Sequence, residues 1–245
     1  MALAARFDLE LLQYDAVNAF VNAQLDEEIY MQMPPGYRKA GTILRLHKAL
    51  YGLRRSPLLW QRELTGALQK IGFKAVPHEP CCLTCDGIVV FFYVDDIVFA
   101  FPKRKTAHAQ EMIELLKARY RLTGGADLQW FLGIEIVRDR SRRLIWLSQA
   151  LYIDKIAARA GRRTRKDTPI GMDELQPRID LASLREVYDF QVKTGSILYA
   201  VVIIRPDVAF AASRIVRHNA NLSQKHHDAA DRILNYLQAT RGYAL

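Results

Sequence analysis

At 245 residues, half of them hydrophobic and a quarter charged, the chain can bury one large or two modest cores, and its balance excludes wholesale disorder. A formal net charge of +9 suits a polyanionic partner, and it does not separate nucleic acid from an anionic membrane surface. No amino-terminal stretch reads as a signal peptide and no apolar run approaches a membrane span, so we expect an intracellular protein, cytoplasmic or nuclear, with reduced cysteines.

Residues 1–7 read as the tail of a helix, and residues 11–16 as a strand leading to Asp15. Ala16-Val-Asn-Ala-Phe-Val-Asn22 then tightens the pattern and sets Phe20 five positions beyond the acid. On its own, an Asp in an apolar strand is more often a turn or capping residue. Residues 29–60 read as a loop with the breaker cluster Met33-Pro-Pro-Gly-Tyr37, a strand over residues 42–47, and a helix entry. Ser56 suits an N-cap and Pro57 the first helical position. Trp60, Leu64, Ala67, Leu68 and Ile71 repeat at helical spacing, and Gly72 supplies the stop. Arg54 and Arg55 precede that N-terminus, where backbone N–H groups favour anions; a solvated turn is the plainer alternative.

His78-Glu-Pro-Cys-Cys-Leu-Thr-Cys85 offers one His and three Cys, but zinc sites recruit two separated ligand pairs. We read these as half-buried thiols beside a loop histidine. Gly87-Ile-Val-Val-Phe-Phe-Tyr-Val-Asp-Asp-Ile-Val-Phe-Ala-Phe101 predicts a buried β-hairpin whose turn is built from Asp95 and Asp96. Two like charges beside apolar strands cost desolvation and repulsion unless a cation compensates, and oxygen ligands suit magnesium. With Asp15, three carboxylates from two neighbouring strands could hold two cations, as in-line phosphoryl transfer requires. Neither a Ser-His-Asp arrangement nor a Gly-x-x-x-x-Gly-Lys loop occurs, so a polymerase fits better than a hydrolase or P-loop NTPase.

Residues 106–120 predict an amphipathic helix with Ala109, Met112, Ile113, Leu116 and Tyr120 inward, and Gly124-Gly125 a break. Residues 130–148 predict a hairpin with a basic turn over 138–143, followed by a helix capped by Ser148 and stopped at Gly161. Arg162-Arg-Thr-Arg-Lys166 is the densest basic run, and Thr168-Pro169 marks a soft boundary near residue 170. Residues 184–204, 206–218 and 223–240 read as helical.

Five motifs follow in order: Gln13-Tyr-Asp-Ala-Val-Asn-Ala-Phe-Val-Asn22, Glu28-Ile-Tyr-Met-Gln-Met-Pro-Pro-Gly-Tyr37, Lys48-Ala-Leu-Tyr-Gly-Leu-Arg-Arg-Ser-Pro57, Tyr93-Val-Asp-Asp96 and Phe131-Leu-Gly-Ile-Glu-Ile136. In them the chain resembles the reverse transcriptase segment of copia-type retrotransposon polyproteins, over about residues 1–160. The resemblance implies an α+β fold: a right-hand polymerase palm with partial fingers over 1–147, a thumb start and basic linker over 148–170, and a helical connection over 171–245. That connection would precede a ribonuclease H domain, and a fingers segment would precede the first residue. It implies RNA-directed DNA polymerase activity with two Mg2+ ions, Mn2+ a substitute, held by Asp15, Asp95 and Asp96 with Ala16 alongside. Phe20, Tyr51, Gly52 and Arg54 would frame the nucleotide, Phe20 as the ring that excludes a 2′-hydroxyl. Tyr93, Val94, Leu132, Gly133, Arg162 and Arg163 would meet nucleic acid. The implied partners are an RNA template, a DNA primer, dNTPs, and the ribonuclease H and integrase modules of a complete element, with no membrane. The alternative is an inactive remnant that only binds nucleic acid.

Overall fold

Alternation along residues 10–16 builds the first layer of structure, because side chains two apart on a strand share a face. The computed structural model describes residues 1–39, 41–161, 163–172 and 174–245. These form two compact units, Met1–Leu128 with Arg140–Arg143, and Gln129–Asp139 with Leu144–Leu245.

The first unit runs α1 (Ala2–Arg6), β1 (Glu10–Ala16), a 3-10 turn at Ala19–Asn22, β2 (Gln24–Gln32), β3 (Ile43–Lys48) and α2 (Ser56–Lys70). It continues with β4 (Lys74–Val76), β5 (Glu79–Cys85), β6 (Ile88–Tyr93), β7 (Asp96–Phe101), α3 (Thr106–Lys117) and β8 (Leu122–Asp127). Six strands form one antiparallel sheet in the order β4-β5-β6-β7-β1-β8, while β2 and β3 pair apart from it. On one face, Tyr14, Ala16, Val90, Phe92, Ile97, Phe99 and Phe101 pack in one core with Trp60, Leu64 and Leu68 of α2 and Ile113 and Leu116 of α3. The inward residues expected for both helices are largely those found, with Met112 and Ile71 at the margin of the core.

Three local expectations are corrected. Residues 29–32, read as loop, belong to β2, because Ile29 and Met31 alternate inward opposite Leu46 and Leu44 of β3. Gly124 and Gly125, read as a break, lie inside β8: the register jumps from Gln13 opposite Ala126 to Tyr14 opposite Gly124, leaving Gly125 as a bulge. Ser56 does not cap α2; its hydroxyl, wholly buried, donates to the Leu50 carbonyl at 2.6 Å. His78 occupies a left-handed turn position, and Cys81, Cys82 and Cys85 are free, half-buried thiols on β5. Burial pushes the Cys81 and Cys82 thiols up.

The second unit comprises β9 (Trp130–Phe131), β10 (Ile134–Asp139), β11 (Leu144–Ser148), α4 (Ala150–Ala157), α5 (Leu184–Ile203), a 3-10 turn at Pro206–Val208, α6 (Ala209–Val216) and α7 (Gln224–Ala239). The three strands form a sheet in the order β11-β10-β9. Ile153 and Ile156 of α4 share a core with Phe190, Ile197, Ile215, Ile233 and Leu234, so this core spans the stretch near residue 170 where composition suggested a boundary. Ser183 and Glu186 close a reciprocal cap on α5. No helix among the described residues is long and apolar enough to cross a membrane.

Candidate functional site

Asp15 and Asp96 stand directly opposite each other on β1 and β7. Tyr93 pairs with Asp96 across the hairpin, and Thr123 of β8 pairs with Asp15. Four strands thus carry one row, Tyr93, Asp96, Asp15 and Thr123, on the sheet face turned away from the two-helix core. The turn between β6 and β7 is Val94-Asp95, so Asp96 is a strand residue and the turn uses only one of the two acids. Val94 has φ 54°, a conformation costly for a β-branched residue. Two contacts hold it: Trp60 Nε1 donates to the Val94 carbonyl at 2.6 Å, and the Ala16 N–H donates to the Asp95 carbonyl at 2.8 Å. Ala16, itself buried, therefore binds the turn through its backbone.

The three carboxylates repel one another. Partial burial, then Asp95 and Asp96, push the Asp15 carboxyl up from its ordinary value, against a hydrogen bond from Thr123 that lowers it. Gln13, two residues before Asp15 on the same face, donates from Nε2 to Asp96 Oδ1 at 2.8 Å. Among the described residues none of the three acids has a salt-bridge partner, and no three metal-ligating side chains are already gathered around one point. An oxygen-only, open donor set of uncompensated charge fits magnesium, which takes one or two carboxylates and completes its shell with water and phosphate oxygens.

Phe20 is buried in the first core, and its ring lies 4.5 Å from that of Tyr51, inclined at 49°. Tyr51 is exposed; burial first, then Asp95 and Asp15, push its hydroxyl up, which sets it in the field of the acids. Gly52 has φ 94° with open space beside it, so its backbone conformation calls for glycine. Arg54 is exposed, while Arg55 is held by Asp26 at 2.6 Å. The first unit thus assembles Asp15, Ala16, Asp95, Asp96, Tyr93 and Val94, with Tyr51 and Phe20 alongside. Leu132 and Gly133 form the left-handed turn between β9 and β10 in the second unit, where Tyr199 donates to the Leu132 carbonyl. Arg163 is exposed in the same unit, and Arg162 lies outside the described residues. Sequence reasoning missed Gln13, Thr123 and Trp60. Only Gln13 carried a usable signal, its position two before Asp15 on a strand.

With this geometry, the family match is specific. Residues 1–170 match the family model described as reverse transcriptase (RNA-dependent DNA polymerase). The chain belongs to that family, in the branch found in retrotransposon Pol polyproteins. It is 31% identical, over all of its length, to a retrovirus-related Pol polyprotein from transposon TNT 1-94 of Nicotiana tabacum, of which it spans 20%. It is 31% identical to a putative transposon Ty5-1 protein of Saccharomyces cerevisiae, with 94% of this chain and 77% of that protein aligned. A Pol polyprotein from transposon RE1 of Arabidopsis thaliana is 30% identical over 95% of this chain, which spans 16% of it.

Proposed function

We propose that the first unit is the palm of an RNA-directed DNA polymerase that adds dNTPs to a primer 3′-hydroxyl on an RNA template. The observation that carries this is Asp15 opposite Asp96 with Asp95 in the adjoining turn, in a chain of the reverse transcriptase family. Asp15 and Asp95 are the principal metal acids and Asp96 the third, with the Ala16 carbonyl available beside them. Two divalent ions bound there would ease deprotonation of the 3′-hydroxyl and neutralise charge on the leaving pyrophosphate. The protein's own part is positioning. The Trp60 and Ala16 contacts fix the turn, and Phe20 with Tyr51 forms the wall beside the sugar. Gly52 and Arg54 frame the triphosphate, and Tyr93 and Val94 meet the primer end. In the second unit, Leu132, Gly133 and Arg163 contact the duplex, with α4 as the start of a thumb and α5–α7 as a connection. Ribonuclease H and integrase modules are partners in a complete element, acting inside the cell.

The test is primer extension with Mg2+ by wild type and Asp95→Asn. Extension should vanish in the variant while its melting temperature stays near that of wild type. A folded Asp95→Asn protein that extends normally would remove the metal assignment. Nucleic-acid binding without extension by wild type would favour the remnant reading instead.

A further inference from the structure

We infer that Gln13 is a positioning residue that holds one oxygen of Asp96 off the cation, and so sets the site's preference for magnesium over calcium. This rests on the polymerase reading above. Gln13 and Asp15 share a face of β1, and Gln13 lies one pleat further from the turn, diagonal to Asp96 on β7. Its side chain spans that diagonal, with Nε2 2.8 Å from Asp96 Oδ1. A carboxylate is acceptor-only, and an amide N–H fills one of its lone-pair directions at a fixed angle. Asp96 is thereby tied to β1 through Oδ1, and the amide makes no contact with Oδ2.

The number of free carboxylate oxygens is what separates the two cations. Magnesium demands near-octahedral geometry, keeps several waters and needs one or two carboxylates, whereas calcium takes six to eight oxygens and welcomes a bidentate carboxylate. A carboxylate with one oxygen pinned by an amide is less free to turn both oxygens onto one ion, so the site is poorer for calcium and nearly unchanged for magnesium. Releasing Asp96 from Gln13 lets both of its oxygens turn toward the ion. Thr123 hydrogen-bonds to Asp15 from the opposite side, so the amide acts on Asp96 alone.

The experiment uses the full chain, stripped of metal and loaded with Mn2+, whose free-ion paramagnetic resonance signal reports binding. Mg2+ and Ca2+ are then titrated as competitors against wild type, Gln13→Met, Gln13→Asn and Asp95→Asn. Gln13→Met keeps the length and removes the donor; Gln13→Asn keeps the amide but falls short of Asp96, and serves should the methionine variant not fold. Both should lower the Ca2+ concentration that displaces half of the Mn2+, relative to that for Mg2+, by about fivefold, which corresponds to about 1 kcal/mol of differential affinity. An unchanged ratio in a folded variant, with Asp95→Asn having lost Mn2+, overturns the role of Gln13 and leaves the metal site standing. Mn2+ held equally by Asp95→Asn and wild type overturns the metal reading and this inference together.

Discussion

Phe20 contributes in two ways that substitution can separate. Its ring belongs to the same buried core as Ala16, Ala19 and the inward residues of α2, and it packs against Tyr51. Phe20→Ala should cost about 3–5 kcal/mol of stability, and, on the polymerase reading proposed above, it should raise ribonucleotide incorporation relative to deoxynucleotide by removing the ring proposed to exclude a 2′-hydroxyl. Single-nucleotide incorporation beside a melting curve measures both; equal loss for the two sugars would leave Phe20 as core alone. In the second unit, the wholly buried Arg205 makes two hydrogen bonds to Asp207, at 2.9 and 2.8 Å, and Tyr236 donates to the same carboxylate at 3.0 Å. Burial alone would push the Asp207 carboxyl up, but the Arg205 and Tyr236 donors outweigh it and hold it below its ordinary 3.8. A depressed carboxyl stabilises the fold above that value and loses its contribution as pH falls through the lower folded value. Asp207→Asn removes the charge facing the buried guanidinium but leaves Arg205 its two bonds to Thr240, so it should cost about 1–3 kcal/mol at neutral pH, with the gap closing as pH drops below 3.8. Urea unfolding across that range tests this, and a pH-independent gap would contradict it.

Strand β8 shows how one element sets the geometry of another. A Cβ at Gly124 would stand 2.8 Å from the Gln13 carbonyl, at φ 97°. The glycine pair lets β8 approach β1 beside Gln13 and bulge, which delivers Thr123 opposite Asp15. Gly124→Ala should destabilise the first unit by roughly 1–3 kcal/mol, through strain at positive φ and the backbone clash. It should also weaken Mn2+ binding by displacing β1. Denaturant unfolding and metal titration give the two readings, and a variant matching wild type in both would refute this register.

At the scale of the whole chain, the excess of positive charge is the property a polyanion meets first. Binding to a primer–template duplex should weaken steeply with salt, each phosphate contact adding about 0.9 to the log–log slope. Not every arginine takes part. Arg140 is bound to Asp8 and Glu10 within the first unit, so Arg140→Ala should lower stability and leave the slope nearly unchanged. Replacing the exposed Arg163 together with Lys166 by Ala should reduce the slope by roughly 1–2. Titrations at several ionic strengths decide this, and a flat response in wild type would point to another partner.

The sequence by itself determined the family, the hairpin over residues 87–101 and helices α2, α3 and α5 to α7, and it singled out the three acids as candidates. Each is written locally, as apolar periodicity, as a stop at Gly72, or as a motif in fixed order. Only the tertiary structure decided how those pieces meet. Asp15 and Asp96 are 81 positions apart, and their opposition depends on the β1–β7 register, which no local signal encodes. The same register brings Gln13 to Asp96 and Thr123 to Asp15. The glycine pair misled for a related reason. In isolation two glycines signal a break, and only a neighbouring strand pressing against their missing side chains makes them part of a sheet.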